Sequence, residues 1–195
     1  MIKIKTRVLT AVFMMATFIN YGNNTDLKNN NVFNAKQVKV VFKAVKKGQQ
    51  LSIKNNNGVV LYTESIEKQG LLAKVFDFSK LNDGNYTLEL EKDFSIVVKS
   101  LKIVGNEVII DENSTKVIFK PVVRNVDDKL MISKIAFDEK PLQVDLYFKD
   151  EIIYSETIKG NTILKRVYKL DKRIKGNYKV VLHNNERSYI NNFKI

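Results

Sequence analysis

The chain has 195 residues, 44% of them hydrophobic, and its 33 Lys and Arg against 21 Asp and Glu give a formal charge of +12. That length suits one ordinary domain or two small ones. The absence of cysteine excludes a disulfide framework, a thiolate zinc site, a cysteine nucleophile and a lipidated N-terminal cysteine, and a single histidine excludes a multi-histidine metal site.

The N-terminus reads as an export signal. Lys3, Lys5 and Arg7 precede the apolar run Val8 to Ile19, which is shorter than the about 20 apolar residues of a membrane span. A signal peptide is expected over residues 1–22, cut near Tyr21 to Asn24, and a flexible leader over 23–36; Gly22 to Asn31, across that boundary, is polar and aperiodic. The part that remains is still strongly basic. Such a charge favours contact with acidic polymers or surfaces without identifying one.

Folded sequence is expected from Gln37. Val38 to Val45, Leu51 to Lys54, Val59 to Ile66, Leu72 to Phe78, Asn85 to Glu91 and Ser95 to Val104 are strand-length and rich in Val, Ile, Phe and Tyr. Lys47-Gly48, Asn55-Asn56-Asn57-Gly58, Gln69-Gly70 and Asn82-Asp83-Gly84 separate them, and Gly and Asn tolerate the positive φ of tight turns. Beyond the turn Gly105-Asn106, the runs Glu107 to Asp111 and Lys116 to Val123 read as two strands that close a first module and begin a second. Pro121 places the latter strand at an edge, because proline cannot donate a ladder hydrogen bond.

The chain repeats itself at a spacing of 92 residues: Tyr62-Thr63-Glu64-Ser65-Ile66 lies over Tyr154-Ser155-Glu156-Thr157-Ile158, and Gly84-Asn85-Tyr86 over Gly176-Asn177-Tyr178. Leu72 falls on Leu164, Val75-Phe76 on Val167-Tyr168, and Leu101-Lys102-Ile103 on Phe193-Lys194-Ile195. With one residue of slippage, Leu51 and Ile53 match Leu142 and Val144. Lys116 to Lys120 also echoes Lys39 to Lys43, which would make Leu130 to Phe137 an extra strand, so two alignments remain open before residue 142.

After Gly-Asn-Tyr, the residues Tyr86, Leu88 and Leu90 share one strand face, as do Tyr178, Val180 and Leu182. Leu81, Gly84 and Tyr86 fit a tyrosine corner, in which the hydroxyl bonds nearby backbone, and Tyr178 repeats it. A tyrosine at the same strand start in both halves is a structural device rather than a catalytic one. The fold class is therefore all-β, two tandem immunoglobulin-like antiparallel β-sandwich modules over 37–106 and 107–195, after the signal segment.

Leu51-x-Ile53, Gly58-Val59-Val60, then Phe78-x-x-Leu81-x-x-Gly84-x-Tyr86-x-Leu88-x-Leu90 and Val97-Val98-Lys99-x-Leu101-Lys102-Ile103 resemble small secreted immunoglobulin-like modules of Bacteroidetes-type bacteria. They are similar to the C-terminal sorting domains of type IX secretion cargo. Leu142-x-Val144, Ile152-Ile153-Tyr154, Leu170, Gly176-x-Tyr178 and Phe193-Lys194-Ile195 look like the same module again. The resemblance implies an exported β-sandwich protein, periplasmic or extracellular.

Chemistry-bearing patterns are few. His183 lies out of phase with Tyr178, Val180 and Leu182 and reads as a solvated surface histidine, since a general base needs an orienting partner and a nearby nucleophile that the sequence does not supply. Asp127-Asp128, Asp138-Glu139 and Asp150-Glu151 fall in turns, and neighbours on a strand point to opposite faces. No phosphate loop, EF-hand, nucleophile elbow or paired-histidine helix is written in the chain, and no cofactor or metal is expected.

The candidate surface is the basic cluster Lys165, Arg166, Lys169, Lys172, Arg173, Lys175 and Lys179, because the matching stretch of the first copy is close to neutral. Neutralising Lys172, Arg173 and Lys175 together is expected to weaken binding to acidic polymers or anionic vesicles. The functional expectation is a non-enzymatic exported binding or structural module that meets a protein or envelope component. The alternatives are polyanion binding (polysaccharide, anionic lipid or nucleic acid) through residues 165–179, and a type IX sorting role. Aromatic interleaving is too thin for a nucleic-acid stacking motif.

Overall fold

A computed structural model describes residues 36–111, 114–185 and 187–195. The expected signal segment and the leader through residue 35 lie outside the described residues. Among the described residues there is no α-helix, and no helix is long and apolar enough to cross a membrane. The polypeptide forms antiparallel strands and divides into two compact units, one ending at Asp93 and resuming over Val97–Val117, the other comprising Phe94–Ile96 and Ile118–Ile195.

In the first unit the strands are β1 Gln37–Val45, β2 Gln50–Asn55, β3 Val60–Ser65, β4 Gly70–Asp77, β5 Gly84–Glu91, β6 Ser95–Val104 and β7 Glu107–Ile110. β1 pairs with β4, while the other sheet runs β3-β2-β5-β6-β7. Alternation along each strand sends Val40, Phe42, Phe76, Leu51, Ile53, Leu88 and Leu90 into one shared core, so the two sheets face each other as a sandwich. β7 joins this unit through its pairing with β6, Leu101 opposite Ile110 and Val104 opposite Glu107.

Pro121 sits in neither of the strands that flank it: the expected Lys116 to Val123 run is broken into β8 Lys116–Phe119 and β9 Val122–Val126. A residue without an N–H ends the ladder here instead of lying within an edge strand. The second unit then continues with β10 Lys129–Ile135, β11 Leu142–Phe148, β12 Glu151–Ile158, β13 Ile163–Lys169, β14 Asn177–Asn184 and β15 Arg187–Lys194. Its sheets are β13-β10-β9 and β12-β11-β14-β15. Leu130, Ile132, Val144, Leu146, Leu164, Val180 and Leu182 fill the space between them.

The order β3-β2-β5-β6 recurs as β12-β11-β14-β15, and β1-β4 recurs as β10-β13. Registers match as well: Val40 lies opposite Lys74, and Ile132 opposite Arg166, both displaced by the same spacing. Leu130 to Phe137 therefore contributes the counterpart of β1 rather than an added strand, and the Lys116 to Lys120 echo has no equivalent pairing. The match proposed for β2 is also corrected. Leu51 and Ile53 pair with Leu90 and Leu88, as Val144 and Leu146 pair with Leu182 and Val180. Leu51 and Ile53 thus correspond to Val144 and Leu146, two residues further along than Leu142 and Val144.

Candidate functional site

The basic cluster does not assemble into one patch. On β13, Leu164, Arg166 and Tyr168 face inward and Lys165, Val167 and Lys169 outward, because successive side chains alternate. Arg166 is engaged by Glu156 of β12, with Nε 2.8 Å from Oε1 and Nη2 donating to Oε2 at 2.9 Å. In the β13–β14 turn, Arg173 donates to Asp171 at 2.6 Å and holds that carboxyl below the usual carboxylate range. Lys172 lies 4.0 Å from Asp128. On β14, Lys179 donates to Asp150 at 2.8 Å, depressing its pKa, and sits over the Tyr147 ring. Four of the seven cations thus have an acid beside them, while Lys165, Lys169 and Lys175 form no ion pair among the described residues.

Lys165 and Lys169 instead join residues that the linear sequence keeps apart. On the outer face of the sheet β13-β10-β9, Lys169 lies opposite Lys129, which lies opposite Val126; the next row is Val167, Met131 and Arg124; then Lys165, Ser133 and Val122; then Ile163 and Ile135. This face holds four cations, six aliphatic or thioether side chains, one serine and no acid. Val126, Ile163 and Val167 are exposed at 52%, 52% and 59%. Lys129 and Lys169 are directly opposed across the strands, an arrangement that costs a few tenths of a kcal/mol or more when nothing neutralises it. Lys129 and Arg124 were missed in the sequence because their membership depends on the β9–β10–β13 register. The alternation of Lys129, Met131 and Ser133 along β10 was the available signal.

A second polar arrangement crosses the other sheet of this unit. Ser155 of β12 donates to Asp145 of β11 at 2.6 Å, Asp145 Oδ2 lies 3.2 Å from His183 Nε2 on β14, and His183 Nδ1 lies 2.8 Å from Ser188 Oγ on β15. Gln143 Nε2 also donates to Asp145. His183 is on the outer face, as its phase requires, but it is half-buried and bonded on both nitrogens rather than simply solvated. The row comes from cross-strand neighbours, His183 standing opposite Ser188 and Gln143. Its constant effect is to satisfy the buried Asp145 carboxylate.

The Gly-Asn-Tyr copies carry backbone bonds. The Tyr86 hydroxyl donates to the Asn82 carbonyl at 2.7 Å, and the Tyr178 hydroxyl to the Ile174 carbonyl at 3.1 Å. Each ring is buried at its strand start and ties it to the turn before it. Tyr178 is also stacked on Phe193 at 5.5 Å and contacts Phe148 at 4.9 Å. Beside it opens a cleft of about 680 Å³ lined by Lys149, Asp150, Asn177, Lys179, Asn192 and Lys194, among others. The Asp127, Glu139 and Asp150 members of the acidic pairs occupy turn positions with positive φ. Among the described residues no group of three His, Asp or Glu is placed to hold a metal ion.

No family model matches the chain, and no curated protein matches it significantly. Among solved structures, a biofilm-associated protein, BSP domain, is similar at 14% identity and a TM-score of 0.28, over 83% of this chain and 28% of that one. The chain therefore spans little more than a quarter of that structure. The human OSCAR ligand-binding domain is similar at 10% identity and a TM-score of 0.24, over 83% of this chain and 91% of its own. Drosophila OTK extracellular domains 3–5 are similar at 9% identity and a TM-score of 0.24, over 82% and 91%. TM-scores this low transfer neither a fold nor a function to the chain.

Proposed function

We propose that the protein is an exported, non-enzymatic binding module whose contact surface is the outer face of β9–β10–β13 and whose partner carries acid groups. The observation that carries this reading is the concentration of Arg124, Lys129, Lys165 and Lys169 on one acid-free face, with Lys129 directly against Lys169. A partner anion would relieve that like-charge opposition, so binding supplies what the free sheet lacks. The turn cations Lys172 and Arg173 offer less, since each already has an acid beside it. Export is supported by the N-terminal basic and apolar pattern.

A charge-matched comparison tests this. One variant replaces Lys129, Lys165 and Lys169 by Gln; the other replaces Lys172, Arg173 and Lys175 by Gln. Both lose the same formal charge. The sheet-face variant is expected to elute from heparin at markedly lower salt than the turn variant. Equal elution of the two would reduce the attraction to net charge and remove the face from consideration.

The Asp145–His183–Ser188 row favours a second reading, a serine hydrolase. A histidine between a carboxylate and a hydroxyl is the geometry that activates a nucleophile, although an oxyanion site of two N–H donors is needed as well. Covalent labelling of Ser188 by a fluorophosphonate, abolished in His183→Ala, would establish it. An unlabelled parent protein discards it.

A further inference from the structure

We infer that the outer face of β9–β10–β13 docks on an anionic lipid surface. The inference rests on the reading of that face as the binding surface and goes on to name the partner. Three features select it. The first is the interleaving: Val126, Met131, Ile135, Ile163 and Val167 share the face with the four cations. A soluble acidic polymer would use the cations and leave these aliphatic side chains in water. A bilayer interface takes both, the lysine ammoniums meeting phosphates while their stems and the aliphatic neighbours lie against the acyl boundary.

The second feature is how the cations are spread. Adsorption to a charged bilayer accumulates with each basic residue near the surface, and the four cations here are distributed over the rows of one three-stranded sheet face rather than gathered in a single pocket. The third feature is charge sign. A second copy of the same face would set four cations against four, which excludes self-pairing here, and no aromatic side chain lies on the face to stack nucleic-acid bases.

The chain has no cysteine, so one introduced thiol can be labelled uniquely. Full-length protein carrying Val126→Cys with an environment-sensitive dye would be mixed with vesicles of phosphatidylglycerol and phosphatidylcholine in equal parts, and with vesicles of phosphatidylcholine alone. The dye reports contact at this face whatever the N-terminal segment does. A blue shift is expected with the acidic vesicles only. Lys129→Gln with Lys169→Gln should weaken the half-maximal lipid concentration about 25-fold, at about five-fold per lysine. Ile163→Ser with Val167→Ser should weaken vesicle binding while leaving heparin elution unchanged. Heparin binding that depends on the lysines, together with no dye shift on acidic vesicles, would overturn the membrane inference and leave the acid-bearing soluble partner standing. Loss of neither heparin nor vesicle binding in the lysine variant would overturn both, as would the same dye shift on neutral vesicles overturn the charge-directed docking.

Discussion

The Arg166 guanidinium grips both oxygens of Glu156, tying β13 in one sheet of the second unit to β12 in the other. Tyr168 adds a hydroxyl to the same carboxylate at 2.7 Å. The first unit carries the counterpart, Lys74 of β4 and Tyr62 both donating to Glu64 of β3, with Lys74 also 2.9 Å from the Tyr62 hydroxyl. Edge-to-face aromatic pairs accompany each clasp, Tyr62 with Phe76 and Tyr154 with Tyr168. Glu64, Lys74, Phe76 and Tyr62 lie over Glu156, Arg166, Tyr168 and Tyr154 at the repeat spacing, so the clasp was copied with the fold.

Removal of the carboxylate should cost more in the first unit than in the second. The Lys74 side chain is only 14% exposed, so Glu64→Ala leaves a poorly hydrated ammonium with no counter-ion and only the Tyr62 hydroxyl beside it, at about 2–3 kcal/mol. Arg166 is 44% exposed and can return to water, so Glu156→Ala should cost about 1 kcal/mol. Urea unfolding of the two variants checks the order.

The same tyrosines make the fold sensitive to alkali. Burial, then the hydrogen bond and charge of Glu64 or Glu156, holds the Tyr62 and Tyr168 hydroxyls above the ordinary phenol range. A pKa raised in the folded state gives stability that is complete below the unfolded value, about 10, and is lost as pH rises from there towards the folded value. Unfolding midpoints should therefore fall above about pH 10. Tyr62→Phe with Tyr168→Phe should flatten that fall, while phenolate absorbance of the parent shows late-titrating tyrosines.

The two strand-opening glycines should differ in tolerance. Both Gly84 and Gly176 have φ of +154, but a Cβ on Gly84 would meet only Tyr86 Cε2 at 3.8 Å, whereas one on Gly176 would stand 2.7 Å from Phe148 Cε2. Gly84→Ala is expected to cost about 1 kcal/mol from backbone strain. Gly176→Ala should cost about 2–3 kcal/mol, because the Phe148 ring is held against Tyr178 and must move. Thermal denaturation distinguishes them.

Removal of the strand-start hydroxyls tests their structural role. Tyr86→Phe and Tyr178→Phe each forgo one hydroxyl-to-carbonyl bond, at about 0.5–1.5 kcal/mol, with the shorter Tyr86 bond expected to matter more. Heparin elution of both variants should match the parent, since each hydroxyl is spent on the carbonyl of its own turn.

Strands were legible in the sequence because alternation and Gly or Asn turns are local signals, and the Gly-Asn-Tyr copies marked equivalent strand starts. The misplacement of Leu51 and Ile53 over Leu142 and Val144 has a simple cause: a strand face repeats every two residues, so a shift of two preserves the pattern and only the ladder to Leu182 and Val180 fixes it. Contacts across strands were hidden in the same way. Asp145 and Ser188 reach His183 through pairing, and Arg124 and Lys129 reach Lys165 and Lys169 through β10. A run of basic residues along the chain concealed the division that alternation imposes, Arg166 inward to Glu156 and its neighbours outward.

The most direct measurement is amide NMR of the full chain titrated with heparin. Shift changes are predicted at Arg124, Lys129, Met131, Lys165 and Val167, the cross-strand rows of one sheet face, and should fade as salt is raised. Changes confined to Lys172, Arg173 and Lys175, with β9, β10 and β13 silent, would contradict the account.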